Sequence, residues 1–208
     1  MRVLIIGATG PTGRELVRQA REKGHAISAL VRRPDAAAGL ADVRLIKGDL
    51  LDASTLTEAL RDQDAVLSAV GTKLSRKPTT QLSDGARNLV AAMERMGPRR
   101  LVCITGIGAG DSRGHGSFAY NWLVMPLLLS EIYKDKTRQE AVIQASALDW
   151  TIVRPAELTD GPATGAYRVA TDLSGFVGSK ISRADVAGFM LKQLDSAEYA
   201  RRLPAISN

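Results

Sequence analysis

Short runs of apolar residues alternate along this chain with longer segments in which apolar residues recur at helical spacing. Uninterrupted runs of Val, Leu and Ile are typical of strands that are buried on both faces, whereas recurrence every three or four residues is typical of one-sided helices. The pattern predicts strands over Arg2–Ile6, Ala26–Val31, Val43–Lys47, Ala65–Ala69, Leu101–Thr105 and Thr151–Arg154. It predicts helices over Thr12–Lys23, Ala53–Leu60, Leu82–Met96, Asp135–Ala147 and Arg183–Leu194.

Alternation of this kind predicts an α/β fold of the Rossmann type, a doubly wound and mainly parallel sheet with helices on both faces. No repeat or linker interrupts the 208 residues, which is an ordinary length for one domain. We therefore expect a single domain over residues 1–208, with a small C-terminal portion on the substrate side.

The first predicted strand ends at a glycine, and two more glycines follow before the first helix: Gly7, Gly10 and Gly13. Between a strand and a helix, such glycines allow a tight turn, a close approach of the backbone to a pyrophosphate and close helix packing. A purely structural turn is the alternative. The predicted nucleotide-binding turn consists of Gly7, Thr9, Gly10, Pro11, Thr12 and Gly13.

The second strand ends in Arg32 and Arg33, and no acid follows before Asp35. A site for NAD(H) usually places Asp or Glu at this position, whereas the 2′-phosphate of NADP(H) requires cations. The sequence thus predicts that NADP(H) is preferred over NAD(H), with two solvated surface arginines as the alternative.

Further cofactor contacts are expected where the third and fourth strands end. Asp49 is placed to accept a hydrogen bond from the adenine amino group, or alternatively to cap the next helix. Small residues after the fourth strand leave room for the ribose and pyrophosphate. These predicted contacts are Asp49, Leu50, Ala69, Val70 and Gly71.

The net charge of +6 and the aromatic content of 4% do not favour a nucleic-acid partner, because no recognition motif accompanies the charge. A polyanionic cofactor accounts for the basic residues near the predicted site. The single cysteine, Cys103, lies in an apolar stretch, which indicates a core residue. We expect no metal site.

The apolar stretch Trp122–Leu129 contains Pro126 and is too short to span a bilayer, so no membrane association is expected. The first strand follows Met1 almost at once, which leaves no room for a signal peptide. We expect a cytoplasmic protein, as a monomer or a homodimer.

Nearly the whole chain resembles the atypical short-chain dehydrogenase/reductases, within them the branch of NmrA-like proteins and flavin reductase (biliverdin-IXβ reductase)-like proteins. The matching segments are Gly7-Ala-Thr-Gly-Pro-Thr-Gly13, Arg32-Arg33, Gly48-Asp-Leu50, Val70-Gly-Thr72, Leu82-Ser-Asp-Gly-Ala-Arg-Asn-Leu-Val90, Trp150-Thr-Ile-Val-Arg-Pro155, Thr164-Gly-Ala-Tyr167, Ile181-Ser-Arg-Ala-Asp-Val186 and Phe189-Met-Leu191. The resemblance implies a single-domain NADPH binder that transfers hydride to flavins, linear tetrapyrroles, quinones or small carbonyls.

The chain departs from the family in its catalytic motif. Most short-chain reductases carry Tyr-x-x-x-Lys on one helix face, so that the lysine cation assists proton donation by the phenol. Here Lys136 has Ile132 four residues before it, and Tyr133 three residues before it. Tyr133 is a candidate proton donor or a pocket wall, and Lys136 is a candidate ribose contact or a solvated side chain.

Three further residues are candidates for the reaction site. The resemblance places Thr105 beside the nicotinamide, where its hydroxyl would orient the cofactor or the acceptor; a strand-end hydrogen bond is the alternative. Glu157 stands where biliverdin-reducing members carry histidine. His115 lies in the long Gly-rich region, and solvation is its alternative.

Two irregular segments are also expected. The region Gly106–Ala119 follows a strand end, where ligands bind in open α/β sheets. The apolar segment Phe118–Leu129 is then either the roof of a substrate pocket or a dimer contact, and Asp35–Asp42 is expected to be a loop.

The sequence therefore predicts an NADPH-dependent reductase that passes hydride to a small acceptor such as a flavin, a quinone or a related conjugated compound. Two alternatives remain open: a non-catalytic regulatory protein that senses NADP(H), and a carbonyl reductase or epimerase that uses Tyr133.

Overall fold

The computed structural model describes residues 1–37, 39–40 and 42–208. Its strands are β1 (Arg2–Ile6), β2 (Ala26–Val31), β3 (Arg44–Lys47), β4 (Ala65–Ser68), β5 (Arg100–Ile104), β6 (Asp149–Pro155), β7 (Glu157–Thr159), β8 (Arg168–Ala170), β9 (Lys180–Ser182) and β10 (Ala205–Ser207). Its α-helices are α1 (Pro11–Glu22), α2 (Ala53–Leu60), α3 (Gln81–Met96), α4 (Ser130–Gln144) and α5 (Arg183–Lys192).

Eight strands form one sheet in the order β3-β2-β1-β4-β5-β6-β10-β8. All neighbouring pairs run parallel except β10 and β8, which are antiparallel. The strand order reverses between β1 and β4, so a crevice opens at their carboxyl ends. The predicted fold class, a doubly wound and mainly parallel sheet, is confirmed.

Helices cover both faces of the sheet. On one face, α1 packs against α5 over a core that includes Leu16, Val186 and Met190. On the other face, α2, α3 and α4 cover Leu56, Met93 and further buried side chains. The alternating side chains of the strands fill both cores, which is why their sequences are apolar throughout.

The region after β5 differs most from the prediction. A π-helical segment, Tyr120–Leu129, leads without a break into α4, which therefore begins at Ser130 rather than at Asp135. The sequence did not reveal this helix because its apolar residues show no polar face and Pro126 is typical of a helix boundary. A short 3₁₀ turn over Gly110–Ser112 interrupts the irregular part.

Four short strands, β7 to β10, were also absent from the prediction. They are three residues long and lie in the C-terminal portion, where β7 pairs with β9 beside the main sheet. A 3₁₀ turn over Pro34–Ala36 starts one residue before the predicted loop Asp35–Asp42 and extends into it. Ala38 and Ala41 of the predicted loop lie outside the described residues.

Asp185 joins the C-terminal portion to the helix layer. Its carboxylate accepts hydrogen bonds from the Thr164 and Gly165 amides and from the Ser182 hydroxyl, at 2.8 to 2.9 Å. Burial alone would raise the pKa of Asp185, but these hydrogen bonds outweigh it and lower that pKa. These contacts give a structural role to two of the matching segments, Thr164-Gly-Ala-Tyr167 and Ile181-Ser-Arg-Ala-Asp-Val186.

The lowered pKa of Asp185 gives a stability prediction. Stabilisation by a carboxylate of lowered pKa is complete above its unfolded value of about 3.9 and is lost as the pH falls through the folded value. We expect Asp185→Asn to reduce the free energy of unfolding by about 1–2 kcal/mol at neutral pH. Urea unfolding at several pH values would show the difference from wild type shrinking below about pH 4. A difference that does not change with pH would contradict this account.

Candidate functional site

The turn between β1 and α1 is built around glycine. Gly7 has φ of +85°, and a Cβ added there would lie 2.6 Å from the carbonyl oxygen of Ala69 on the neighbouring strand. A Cβ at Gly13 would collide with the carbonyl of Gly7, so α1 can sit this close to β1 only with glycine. The roles assigned to Gly7 and Gly13 from the sequence match this packing.

The first turn of α1 suits an anionic group. It begins after Gly10 without a side-chain cap, it has Pro11 at its start, and it contains no acidic residue. The amides of Thr12 and Gly13 belong to this turn, where helix N–H groups have no carbonyl partner within the helix. An uncapped helix start attracts phosphate oxygens through these N–H groups and through the helix dipole.

A cavity of about 570 Å³ opens in front of this turn, at the carboxyl ends of β1, β2, β3 and β4. We call it the edge cavity. The structure brings together nine of the residues predicted to bind the cofactor, and they line it: Gly7, Thr9, Gly10, Arg32, Asp49, Leu50, Ala69, Val70 and Gly71. Its size and its uncapped helix fit a dinucleotide.

Sequence reasoning missed much of the far wall of the edge cavity. The missed residues are Ser75, Pro78, Thr79 and Gln81, from the segment that leads from β4 into α3. The rule that ligands bind at strand ends indicated the segment, but its irregular sequence gave no sign of which side chains face inward.

A second, smaller cavity of about 340 Å³ adjoins the edge cavity at Arg32, which lines both. Its other lining residues are Arg33, Pro34, Asp35 and Lys47. Lys47 reaches this place because β3 runs beside β2, with Lys47 level with Val31. Three cations and one carboxylate thus line this smaller cavity.

Asp49 does not cap α2, which was the alternative considered for it. Asp52 does so, by accepting a hydrogen bond from the Ser54 amide at 3.0 Å. One oxygen of Asp49 accepts from the Leu51 amide, also at 3.0 Å, in the turn that borders the edge cavity. Contact between Asp49 and adenine stays a prediction.

Tyr133 and Lys136 converge despite their spacing of three residues. A Cβ added at Gly106 would lie 2.6 Å from the Tyr133 hydroxyl and 3.2 Å from the Lys136 ammonium. Lys136 Nζ donates a hydrogen bond to the Thr105 carbonyl at 2.6 Å and lies 4.4 Å from the centre of the Tyr133 ring. The phenol and the cation therefore meet beside Gly106, directly after β5.

This meeting point lies along the same sheet edge as the glycine turn. The strand register places Ile6 level with Ser68, and Ser68 level with Cys103. The residues that follow these positions are Gly7, Ala69 and Ile104, with Thr105 one residue further. The glycine turn and the Tyr133–Lys136 pair thus stand at one edge of the sheet, where ligands bind in open α/β sheets.

Thr105 belongs to a buried polar network. Its hydroxyl donates to Glu140 Oε1 at 2.7 Å, and Glu140 accepts two further hydrogen bonds from Arg154, at 2.9 and 2.7 Å. Burial by itself would lower the pKa of Arg154, but the carboxylates of Glu140 and Asp111 outweigh it and raise that pKa. The remaining guanidinium nitrogen pairs with Asp111 at 2.6 Å.

The hydrogen bond to Glu140 limits the chemistry that is available to the Thr105 hydroxyl. Because its proton is committed to Glu140, the hydroxyl offers only lone pairs to a ligand. The structure thus shows the strand-end hydrogen bond that was the alternative, and a catalytic role for Thr105 stays a prediction. The buried ion pair of Arg154 was missed, although a charged side chain inside an apolar strand was a usable signal.

His115 and Glu157 occupy different surroundings. His115 Nδ1 lies 3.0 Å from the Phe176 carbonyl, and the His115 carbonyl accepts from the Gly178 amide at 2.7 Å. These bonds tie the long loop to the C-terminal portion. Glu157 is exposed at the start of β7, and its charge acts on Tyr120. Contact of either residue with a substrate stays a prediction.

Cys103 lies in the core beneath the site. It is 2% exposed, and burial raises the pKa of its thiol to about 12. A thiol with this pKa is protonated at neutral pH and is a poor nucleophile. Cys103 therefore packs as a small apolar residue, as the sequence indicated.

The π-helical segment lines one cavity and also presents apolar side chains to solvent. A cavity of about 650 Å³, which we call the roof cavity, is bordered by Trp122, Met125, Pro126 and Tyr133. Phe118 and Leu127 are largely exposed, and the Phe118 ring packs against Trp122. The segment thus has features of both expected roles, and the dimer contact stays a prediction.

Within residues 1–37, 39–40 and 42–208, no group of three His, Cys, Asp or Glu side chains is placed to hold a metal ion. In the same part of the chain, no helix combines the length and apolar character that crossing a membrane requires.

Comparison with known proteins agrees with this geometry. Residues 7–197 match a family described as NAD(P)H-binding. A curated relative from Bacillus subtilis, the uncharacterized sugar epimerase YhfK, is 30% identical over 97% of this chain and 92% of its own length. A yeast protein, UPF0659 protein YMR090W from Saccharomyces cerevisiae, is 30% identical over 93% of this chain and 87% of its own length.

Among solved structures, ChuY from Escherichia coli O157:H7, an anaerobillin reductase, superposes with a TM-score of 0.84. It is 27% identical, and the match covers 100% of this chain and 97% of that one. The resemblance to atypical short-chain dehydrogenase/reductases is thus confirmed. This chain belongs to the NAD(P)H-binding family, because the family match covers residues 7–197 of its 208 residues.

Proposed function

We propose that this protein is an NADPH-dependent reductase that passes hydride to a small conjugated acceptor, such as a quinone or a flavin. One observation carries the proposal: the Tyr133 hydroxyl and the Lys136 ammonium meet beside Gly106, at the sheet edge that also holds the edge cavity. When bound, the nicotinamide supplies a hydride, which is one proton with two electrons.

The residues of the chain supply orientation and a proton. Tyr133 donates its hydroxyl proton to the oxygen of an acceptor that needs one, and Lys136 stabilises the negative charge that then develops on Tyr133. The sequence left this role open because the spacing of the pair departs from the usual motif. The short distances at Gly106 favour it.

A preference for NADPH is part of the proposal. Arg32, Arg33 and Lys47 surround the small cavity that adjoins the adenosine side of the edge cavity, and Asp35 is the one carboxylate that lines it. Charge-assisted hydrogen bonds from arginine suit a phosphate better than a ribose hydroxyl.

A second candidate function is a carbonyl reductase or an epimerase that uses Tyr133. The convergence of Tyr133 with Lys136 favours this over a non-catalytic NADP(H) sensor, since a sensor needs no proton donor. YhfK is named as a sugar epimerase and ChuY as an anaerobillin reductase, so relatives with both kinds of name share this fold.

The acceptor class is tested by NADPH oxidation with two probes, phenanthrenequinone and FMN. We expect wild type to reduce both, and Tyr133→Phe to slow quinone reduction about a hundredfold or more. FMN reduction should change little, because hydride transfer alone yields the anionic reduced flavin. The loss of NADPH absorbance measures both rates.

Two results would count against this assignment. Tight NADPH binding without turnover of either probe would favour the sensor. If Tyr133→Phe lowered the rates with quinone and with FMN by the same factor, the phenol would support cofactor binding rather than proton donation.

The cofactor preference is tested by binding. We expect the double variant Arg32→Ala with Arg33→Ala to weaken NADPH binding by about tenfold to a thousandfold, because it removes one or two charge-assisted bonds. NADH binding should change little. Calorimetric titration of both cofactors measures the ratio.

The matched control is Arg2→Ala with Arg44→Ala, which removes two exposed arginines from the amino ends of β1 and β3. It should leave both affinities near those of wild type. Similar losses for NADPH and NADH in the Arg32 and Arg33 variant would overturn the preference.

A further inference from the structure

A second tyrosine stands behind the Tyr133–Lys136 pair. Tyr120, at the start of the π-helical segment, places its hydroxyl 2.7 Å from the Tyr133 hydroxyl. The two rings meet edge to face, with centroids 6.3 Å apart and an interplanar angle of 79°. An edge-to-face contact with a hydrogen bond fixes the orientation of both rings.

Tyr133 thus has a favourable partner on two sides. Lys136 lies over its ring at 4.4 Å, and Tyr120 meets its oxygen. A cation and a hydrogen-bond donor both stabilise negative charge on a phenolic oxygen. Lys136 is held in place by its hydrogen bond to the Thr105 carbonyl, and Tyr120 is held by the edge-to-face contact between its ring and that of Tyr133.

Tyr120 is the donor of this hydrogen bond. Burial raises the pKa of Tyr120, and the neighbouring Tyr133 and the Glu157 carboxylate raise it further. Tyr120 therefore keeps its proton, and in the structure its hydroxyl donates to the Tyr133 oxygen at 2.7 Å. The proton of Tyr133 remains available to a different acceptor.

We propose that Tyr120 is a positioning residue for the reduction, holding the Tyr133 oxygen through a hydrogen bond that strengthens as Tyr133 gives up its proton. The inference deepens the proposed function and rests on it. It assigns a task to the π-helical segment, which delivers Tyr120 to the reaction site from outside α4.

The step balances as follows for a quinone or another carbonyl acceptor. A hydride from the bound nicotinamide would form a C–H bond at the carbonyl carbon as the carbon–oxygen π bond breaks, and the carbonyl oxygen would take the proton of Tyr133. The acceptor gains two electrons and two hydrogens, and the cofactor is oxidised. Tyr133 is left as a phenolate between Tyr120 and Lys136, and it recovers a proton from solvent before the next turnover.

Kinetics separates this role from a packing role. We expect Tyr120→Phe, which keeps the ring and removes only the hydroxyl, to lower kcat for phenanthrenequinone about ten- to a hundredfold. KM for the quinone and the dissociation constant of NADPH should stay within about twofold of wild type, since ground-state contacts are kept. The rate with FMN should not change.

The matched control is Tyr199→Phe, because Tyr199 packs against Phe189 on the other face of the sheet and takes no part in the site. It should reproduce the wild-type rates. An unchanged kcat for the quinone in Tyr120→Phe would overturn the inference, while the proposed function would stand.

A second readout needs neither cofactor nor turnover. The chain has four tyrosines, so labelling with fluorotyrosine beside the ring hydroxyl gives four fluorine NMR signals, with that of Tyr133 assigned by Tyr133→Phe. We expect Tyr120→Phe to shift the Tyr133 signal and Tyr199→Phe to leave it in place. No shift would overturn the hydrogen bond. If the Tyr133 signal shifts but the protein reduces neither the quinone nor FMN, the proposed function is refuted. Only the hydrogen bond between Tyr120 and Tyr133 would then stand.

Discussion

The buried ion pair between Glu140 and Arg154 sets the geometry on which the site depends. Both side chains are at most 3% exposed, and they are joined by two hydrogen bonds. Leaving either charge alone in the interior would cost about 3–5 kcal/mol, so α4 is held in one position against β6. Lys136 lies one helical turn before Glu140, and Tyr133 lies one turn earlier again, so the ion pair also fixes where both reach the sheet edge.

Two different kinds of interaction build the two halves of the site. On the nucleotide side, glycine and an uncapped helix present backbone N–H groups, and exposed arginines and Lys47 add charge. On the acceptor side, buried side chains hold each other in place through the ion pair, the Thr105 hydroxyl and the two tyrosines. The first half relies mainly on the backbone, whereas the second depends on contacts between particular side chains.

The nucleotide half was readable from the sequence because its signals are local. Gly7, Gly10 and Gly13 lie within one turn, and strand ends follow from the apolar pattern, so nine of the residues that line the edge cavity were predicted. The acceptor half was not, since Tyr120, Tyr133 and Arg154 come from separate elements. Tyr133 was judged by its spacing from Lys136, but the pair converges because both side chains reach toward Gly106 from neighbouring turns. Tyr120 was not identified, because it begins an apolar run that shows no helical periodicity.

In the proposed reaction, Tyr133 acts with Lys136 at the nicotinamide in spite of the altered spacing of the pair. The most direct measurement is a crystal structure of the wild-type protein with NADP⁺ and a quinone product bound. The account predicts the nicotinamide ring beside Gly106, with the Tyr133 hydroxyl within hydrogen-bonding distance of the product oxygen and Lys136 adjacent. A nicotinamide bound at the edge cavity but turned away from Tyr133, or a product seated where only Thr105 or Glu157 reaches it, would contradict the account.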